Sequence, residues 1–317
     1  MGSGFLSRSV LVLLIGAVHM GAALAGAGSQ PATRPAIMPA EATVQEAFPA
    51  LASGVLSCAL VANLPDGVLV ESRSMRLTRE DLAAQMAKVP SNVRDQLNKN
   101  QFFVLEQIAT RELLRQAART QSPTTQPADA DTAIQSYLQS IADSVRVADD
   151  DLREFYEQNK GMMGGASFEM VKPQLSQYVL QQKQQQAVDE HIRTLGQRTP
   201  IRVSADWASE QAKATVDNPV DKARTSGRPS LVDFGASGCG PCDMMTPILK
   251  TLREKYAGKA NVVFVDVRDE QILAARYRIQ GIPVQVFFDR DGREVFRHTG
   301  FYPQAEIEKH MAKMGVQ

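Results

Sequence analysis

The feature that most constrains this 317-residue chain is a pair of cysteines three positions apart, Cys239 and Cys242. An apolar run typical of a buried strand precedes them over residues 231–234. Apolar side chains recur at helical spacing over residues 244–252, directly after them. The sequence therefore predicts a strand, a tight turn and a helix, with the two thiols where the helix begins.

That position gives the two thiols different tasks. At a helix start, free backbone N–H groups and the positive end of the helix dipole stabilise a thiolate over a thiol, so Cys239 is expected to be a nucleophile near neutral pH. Pro241 suits the first turn because its missing N–H would have had no partner there. The Gly240-Pro241 loop would hold Cys242 close enough to resolve a mixed disulfide.

Two other uses of the cysteine pair remain open, namely a zinc site and a structural disulfide. Zinc needs two more ligands at tetrahedral distance, but the chain has only one further cysteine, and His298 and His310 lie twelve residues apart. A disulfide that closes a two-residue loop has little entropic value as a staple. We therefore expect no metal, and no cofactor other than the redox-active pair itself.

The rest of this region alternates strands and helices. A proline is disfavoured inside a central strand, so Pro283 belongs at the start of its strand, where a cis bond with Ile282 is plausible. The predicted order is strand, helix, strand, helix, strand, strand, helix, with the elements after the cysteine-bearing helix at about 261–267, 272–277, 283–288, 294–296 and 304–314.

Residues 216–317 resemble the thioredoxin family over nearly a whole domain. The resemblance implies an α/β fold with a central mixed sheet flanked by helices. The residues that carry it are Asp233, Cys239-Gly240-Pro241-Cys242, Pro247, Ile282-Pro283, Gly292 and Gly300.

The resemblance also implies a role for each site residue. Cys239 would be the attacking thiol, Cys242 the resolving thiol, and Asp233 a buried proton acceptor that activates Cys242. A cis Pro283, following Ile282, would align the substrate and keep metals off the dithiol. The chain departs from the family where two tryptophans are replaced by Gly235 and Gly238, so the sequence predicts a flatter surface around Cys239.

Residues 51–203 are predicted to be mainly α-helical. Thr78 can cap a helix that carries Asp81 in its first turn, and apolar stripes mark long helices over 102–113 and 168–195. A helical packing or dimerisation module would explain these patterns. The segment over 55–203 also resembles the helical chaperone lobe of the SurA, PpiC and PrsA family, which implies a cradle for unfolded polypeptide.

In that family a prolyl isomerase domain is commonly inserted within the helical lobe. The corresponding segment here, residues 157–167, has only eleven residues. We therefore expect no prolyl isomerase activity.

The first 27 residues are typical of a secretory signal. Apolar residues run from Val10 to Ala25, and small-x-small patterns allow cleavage after Ala25 or Ala27. The predicted location is extracytoplasmic, with the periplasm as the expected compartment; the alternative is a membrane anchor over residues 10–27. A proline-rich tether is expected over 28–50 and a linker over 204–215.

Together these features predict an exported protein thiol–disulfide oxidoreductase, a reductase or isomerase, whose helical domain holds clients. Its partners would be proteins with disulfides or unfolded segments, and an electron donor. With 35 basic and 35 acidic residues, nothing favours nucleic acid. The alternative is a holdase whose thioredoxin-like unit is a docking module. Cys58, among apolar neighbours, is interpreted as a small buried hydrophobe, or else as a redox partner of Cys239.

Overall fold

A computed structural model describes residues 42–51, 54–121 and 129–316. The predicted signal and the predicted membrane anchor lie outside these residues. Within the described ranges, no helix has both the length and the apolar character needed to cross a membrane. The same ranges contain two four-stranded sheets, each covered by its own helices.

The first sheet closes the amino-terminal unit by joining residues that are far apart in sequence. Its strand order is β1-β4-β2-β3, with β1 parallel to β4 and β2 antiparallel to both of its neighbours. The chain therefore leaves this sheet after β3, makes its helices and returns as β4. The strands are β1 Leu60–Ala62, β2 Val68–Glu71, β3 Arg76–Thr78 and β4 Arg202–Ser204.

Helices make up most of this unit, as the apolar stripes predict. Thr78 caps α2 and forms a capping box with Asp81, which confirms the predicted helix start. A separate small core lies between α6 and α7. The helices are α1 Val44–Ala47, α2 Arg79–Ala87, α3 Ser91–Asn98, α4 Gln101–Gln121, α5 Ala130–Asp143, α6 Asp149–Asn159, α7 Phe168–Arg198 and α8 Ala205–Thr215.

The end of the predicted tether is an ordered part of the first core. Residues 42–50 include α1, which Thr43 caps in a capping box with Glu46. Val44 is fully buried in the core of the amino-terminal unit. The proline-rich composition of 28–50 hid this Thr-x-x-Glu signal, so a flexible tether through residue 50 is wrong for its described part.

The stretch predicted as a linker is also folded. Residues 205–215 form α8, and Trp207, the single tryptophan of the chain, is buried in the first core. Its ring stacks on Phe102 with the two ring centroids 5.8 Å apart. Burial of so large an aromatic surface fixes α8 on the amino-terminal unit, so the predicted linker is a packed helix.

The second sheet has the order β6-β5-β7-β8, with β5 parallel to β6 and antiparallel to β7. Helices cover both of its faces, α10 and α12 on one and α9 and α11 on the other. The elements are α9 Pro219–Arg224, β5 Ser230–Gly235, α10 Gly240–Lys255, β6 Asn261–Asp266, α11 Gln271–Arg276, β7 Val284–Phe288, β8 Glu294–Thr299 and α12 Gln304–Lys313. This is the element order predicted from the sequence, with α9 in addition.

The two units pack directly on one another through α11. Ile272 belongs to the apolar core of the amino-terminal unit. Next to it, the Gln96 side chain donates a hydrogen bond to the carbonyl oxygen of Asp269 at 3.2 Å. Arg276, at the end of α11, donates to the carbonyl oxygen of Ala50. The carboxyl-terminal sheet is thus held against the helical unit by buried contacts.

Candidate redox site

The two cysteines of the pair form a disulfide at the start of α10, with their Cα atoms 5.2 Å apart. Cys239 is the N-cap residue and is partly accessible, whereas Cys242 lies in the first turn and is 3% exposed. Gly238, in the turn before them, has a φ of 74°, which side-chain-bearing residues rarely adopt. Of the two cysteines, Cys239 is therefore the one that another molecule can contact.

Asp233 lies under this turn in β5 and is fully buried. Its Oδ1 accepts a hydrogen bond from Gln285 Nε2 at 2.7 Å. Burial raises the pKa of Asp233 to about 6, and the Gln285 hydrogen bond acts in the opposite direction. At pH 7 the group is therefore mostly a carboxylate.

Gly235 is the point at which the ring of Phe264, the carboxylate and the resolving cysteine converge. A Cβ atom at position 235 would lie 2.9 Å from Phe264 Cε2, and 3.5 Å from both Asp233 Oδ2 and Cys242 Cβ. The glycine predicted to flatten the surface therefore makes room for Phe264, which is 39% exposed beside the site. Sequence reasoning missed Phe264 and Gln285. Both lie opposite Asp233 in the sheet register, which the sequence does not show, and the available signal was a single amide, Gln285, in an otherwise apolar strand.

Pro283 lies at the same end of the sheet as the disulfide. Phe234 pairs with Val284, which places the preceding proline next to the end of β5. The Ile282–Pro283 peptide bond is cis, and the carbonyl oxygen of Pro283 accepts a hydrogen bond from Gly300 N at 2.8 Å. Pro283 is buried, while Ile282 is partly accessible. The cysteine pair with its loop, Ile282 and Pro283 thus lie at this one end of the sheet, and Asp233 lies two residues before the end of β5.

Cys58 lies elsewhere, in a 3-10 helix over Val55–Cys58. Its side chain is exposed and its thiol is free. The prediction of a buried thiol is wrong because the tight turn directs Val55 and Leu56 into the core and Cys58 outward. The described residues also contain no group of three or more His, Cys, Asp or Glu side chains that could hold a metal ion.

Comparison with known proteins assigns the second unit. A family model described as a thioredoxin-like domain matches residues 216–315. The thioredoxin of Staphylococcus saprophyticus subsp. saprophyticus is 41% identical over 86 residues, which are 26% of this chain and 82% of that protein. The thioredoxin of Staphylococcus aureus is 39% identical over 83 residues, covering 26% and 79%.

A solved structure of a chloroplastic thioredoxin z is 30% identical, with a TM-score of 0.28, covering 29% of this chain and 83% of that one. The 41% identity over four fifths of a thioredoxin, together with the domain match, shows a thioredoxin-like domain at the carboxyl terminus. Both support thiol–disulfide oxidoreductase chemistry in general. Through its carboxyl-terminal domain, the chain belongs to the thioredoxin family.

Proposed function

We propose that this chain is a protein thiol–disulfide oxidoreductase that works as a reductase or isomerase on other polypeptides. One observation carries the proposal: a partly accessible Cys239 is bonded to a buried Cys242, and a buried carboxylate, Asp233, borders the same glycine, Gly235, as Cys242 does. This is the set of groups that a two-step exchange requires. The remaining groups, Ile282 and cis Pro283, lie at the same end of the sheet as the disulfide and would bind the substrate backbone.

The exchange begins with the dithiol form of the site. The Cys239 thiolate attacks one sulfur of a client disulfide, a mixed disulfide forms, and the other client sulfur leaves as a thiolate. Cys242 gives its proton to Asp233 and attacks Cys239, which releases the second client thiolate and leaves the 239–242 disulfide. Two electrons have then passed from the protein to the client, and an electron donor must reduce the site again.

The direction of electron transfer is inferred from the loop between the two cysteines. Gly240-Pro241 resembles the loop of the reducing thioredoxins, which favours reduction or isomerisation over oxidation of clients. The helix start stabilises the Cys239 thiolate, which makes Cys239 an effective attacking group near neutral pH.

Reduction of insulin tests this function. The purified chain, supplied with a dithiol as electron donor, is expected to accelerate precipitation of the insulin B chain well above the rate of the dithiol alone. The Cys239→Ser chain should not exceed that background, because its hydroxyl cannot attack a disulfide at neutral pH. Equal rates for the two chains would refute the proposal.

We further propose that the chain is exported, with the amino-terminal signal cleaved after Ala25 or Ala27, and that its electron donor is a membrane or soluble protein of that compartment. The apolar run over residues 10–25 and the small residues that follow support cleavage. Intact mass measurement of the protein recovered from the host would distinguish the cleaved chain from one anchored by residues 10–27.

A second proposed activity concerns the helical unit, which would hold unfolded segments of clients. Support comes from its resemblance to the SurA-type lobe and from two apolar side chains exposed on α7, Met170 at 71% and Tyr178 at 44%. The connection from α6 to α7 contains only a short 3-10 helix, Lys160–Met162, so we propose no prolyl isomerase activity.

Binding of unfolded clients by the helical unit would not need the dithiol, so substitutions can separate the two proposed activities. A chain with Cys239→Ser and Cys242→Ser should still suppress aggregation of a reduced, unfolded client as well as the unmodified chain does. Met170→Ser with Tyr178→Ser should weaken suppression and leave insulin reduction unchanged. If the doubly substituted cysteine chain no longer suppresses aggregation, the helical unit does not hold clients by itself.

A further inference from the structure

Gln285 is a polar residue in the middle of an otherwise apolar strand. It is fully buried, and β7, the strand that carries it, lies between β5 and β8. Its neighbours along the strand are Val284, Val286, Phe287 and Phe288. Burying a primary amide among apolar side chains costs free energy unless the amide makes hydrogen bonds. A buried glutamine at this position is therefore expected to have a specific hydrogen-bond partner.

The Gln285 side chain donates a hydrogen bond to Asp233. The sheet register places Gln285 directly opposite Asp233, and Gln285 Nε2 donates to Asp233 Oδ1 at 2.7 Å. Within the described residues, Gln285 Oε1 and Asp233 Oδ2 have no hydrogen-bond partner. The amide is therefore directed at one carboxylate oxygen and leaves the other available.

Among the residues that the structure describes, Gln285 provides the side-chain hydrogen bond that lowers the pKa of Asp233. On β6 the residue opposite is Phe264, and from α10 the neighbour is Cys242. Beyond Gln285, β8 contributes His298, whose own pKa is lowered by burial. The pKa of Asp233 accordingly depends on burial and on the Gln285 amide, with no charged group of the described chain contributing.

We propose that Gln285 is a positioning residue for the proton acceptor: by holding Oδ1 of Asp233, it turns Oδ2 toward Cys242. This inference rests on the proposed function and adds a residue to it. Asp233 Oδ2 and Cys242 Cβ border the same small space, since a Cβ atom on Gly235 would lie 3.5 Å from each of them.

An amide suits a carboxyl group that gains and loses a proton in every cycle. Its NH2 group donates to Oδ1 of the carboxylate, and Oδ1 can still accept this hydrogen bond when the proton lies on Oδ2. A lysine in this place would stabilise only the charged form. Gln285 can therefore hold Asp233 in one orientation in both protonation states.

The step affected is the second half of the exchange. The Cys242 thiol passes its proton to Asp233 Oδ2, and its thiolate attacks Cys239 Sγ. The sulfur–sulfur bond between residues 239 and 242 forms, the mixed disulfide breaks, and the client sulfur leaves as a thiolate that takes a proton from water. Asp233 then returns its proton to solvent, so Gln285 acts on the proton transfer alone.

Gln285→Leu tests the proposal, because leucine fits an apolar strand but cannot donate. Without the hydrogen bond the pKa of Asp233 should rise by about one further unit, which moves the acid limb of the insulin-reduction profile up by about one pH unit. The rate should fall about fivefold at pH 6 and change little at pH 8. Val286→Ala, on the other face of the same strand, should leave the shape of the profile unaltered.

A merely structural role would lower the rate by the same factor at every pH, and that result would overturn the proposal. So would a Gln285→Leu effect that persists in an Asp233→Asn background, since the amide would then have nothing to position. Gln285→Met provides a second variant without a donor, should the leucine chain fail to fold.

A measurement independent of activity separates this inference from the proposed function. The Asp233 carboxyl carbon of the oxidised chain can be titrated by 13C NMR, and its midpoint should rise in Gln285→Leu and stay in place in Val286→Ala. An unmoved midpoint overturns the role of Gln285 even if insulin is reduced. A raised midpoint in a chain that reduces no insulin would refute the proposed function and leave the positioning intact.

Discussion

Cys242→Ser is expected to stop turnover and to leave the chain covalently attached to its substrate. Cys239 is the accessible sulfur, so the first attack still occurs and the mixed disulfide still forms. The Cys242 thiol, which would attack the mixed disulfide and release the client, is absent from this variant. An intramolecular thiol held this close has an effective concentration far above that of an external millimolar dithiol, so release should slow by about a thousandfold or more.

Intact mass spectrometry without reductant checks this result. A Cys242→Ser chain mixed with insulin should gain the mass of one whole insulin molecule, because a single attack breaks only one of the disulfides that join the two insulin chains, and added dithiol should remove the adduct. The exposed Cys58 could form an adduct of its own, so every variant is made in a Cys58→Ser background. Adduct on a Cys239→Ser chain in equal amount would show that residue 239 is not the attacking sulfur.

The site could be predicted from the sequence where local pattern and chemistry coincide. Cys239 and Cys242 follow an apolar strand and open a helix, and Pro283 stands at a strand start, so each position is defined by a few neighbouring residues. Gln285 and Phe264 become neighbours of Asp233 only through sheet register. A single apolar strand with one glutamine gives no indication of what lies opposite it.

The fold of the amino-terminal unit was harder to predict from the sequence, for a related reason. Thr43 and Trp207 lie in stretches whose composition favours a tether and a linker, but both stretches are ordered by partners far away in sequence. Trp207 packs on Phe102, and residue 43 forms an isolated bridge with Leu60. Burial against such distant partners overrides local composition, and one sequence contains little information about which partners meet.

Asp221→Asn is expected to destabilise the whole chain strongly, because this carboxylate neutralises buried arginines where the two units meet. Asp221 is fully buried in α9 and accepts hydrogen bonds from Arg276 Nη1 at 2.6 Å and Nη2 at 3.1 Å, and from the Tyr277 hydroxyl at 2.9 Å. Arg276 is 3% exposed and also donates to the carbonyl oxygen of Ala50. Burial opposes its charge, but Asp221 raises the pKa of Arg276 overall.

Removing one partner of a buried ion pair leaves the other charge without compensation, at a cost of about 3–5 kcal/mol in the free energy of unfolding. Asparagine keeps the size of the side chain but not its charge, so the loss would be electrostatic and not a cavity. Because Arg276 reaches Ala50 in the amino-terminal unit, loosening it should also expose the contact between the units to protease.

Asp217→Asn is the matched control, because it makes the same change four residues earlier in an exposed pair. Asp217 accepts from Lys222 Nζ at 2.9 Å, with side chains 72% and 60% exposed, and such pairs contribute less than about 1 kcal/mol. Urea unfolding of both variants measures the difference. A loss for Asp221→Asn no larger than that for Asp217→Asn would mean that the buried network does not hold the units together. In that case the contact between the units would have to rest on the apolar packing of Ile272 and on the hydrogen bonds of Gln96 beside it.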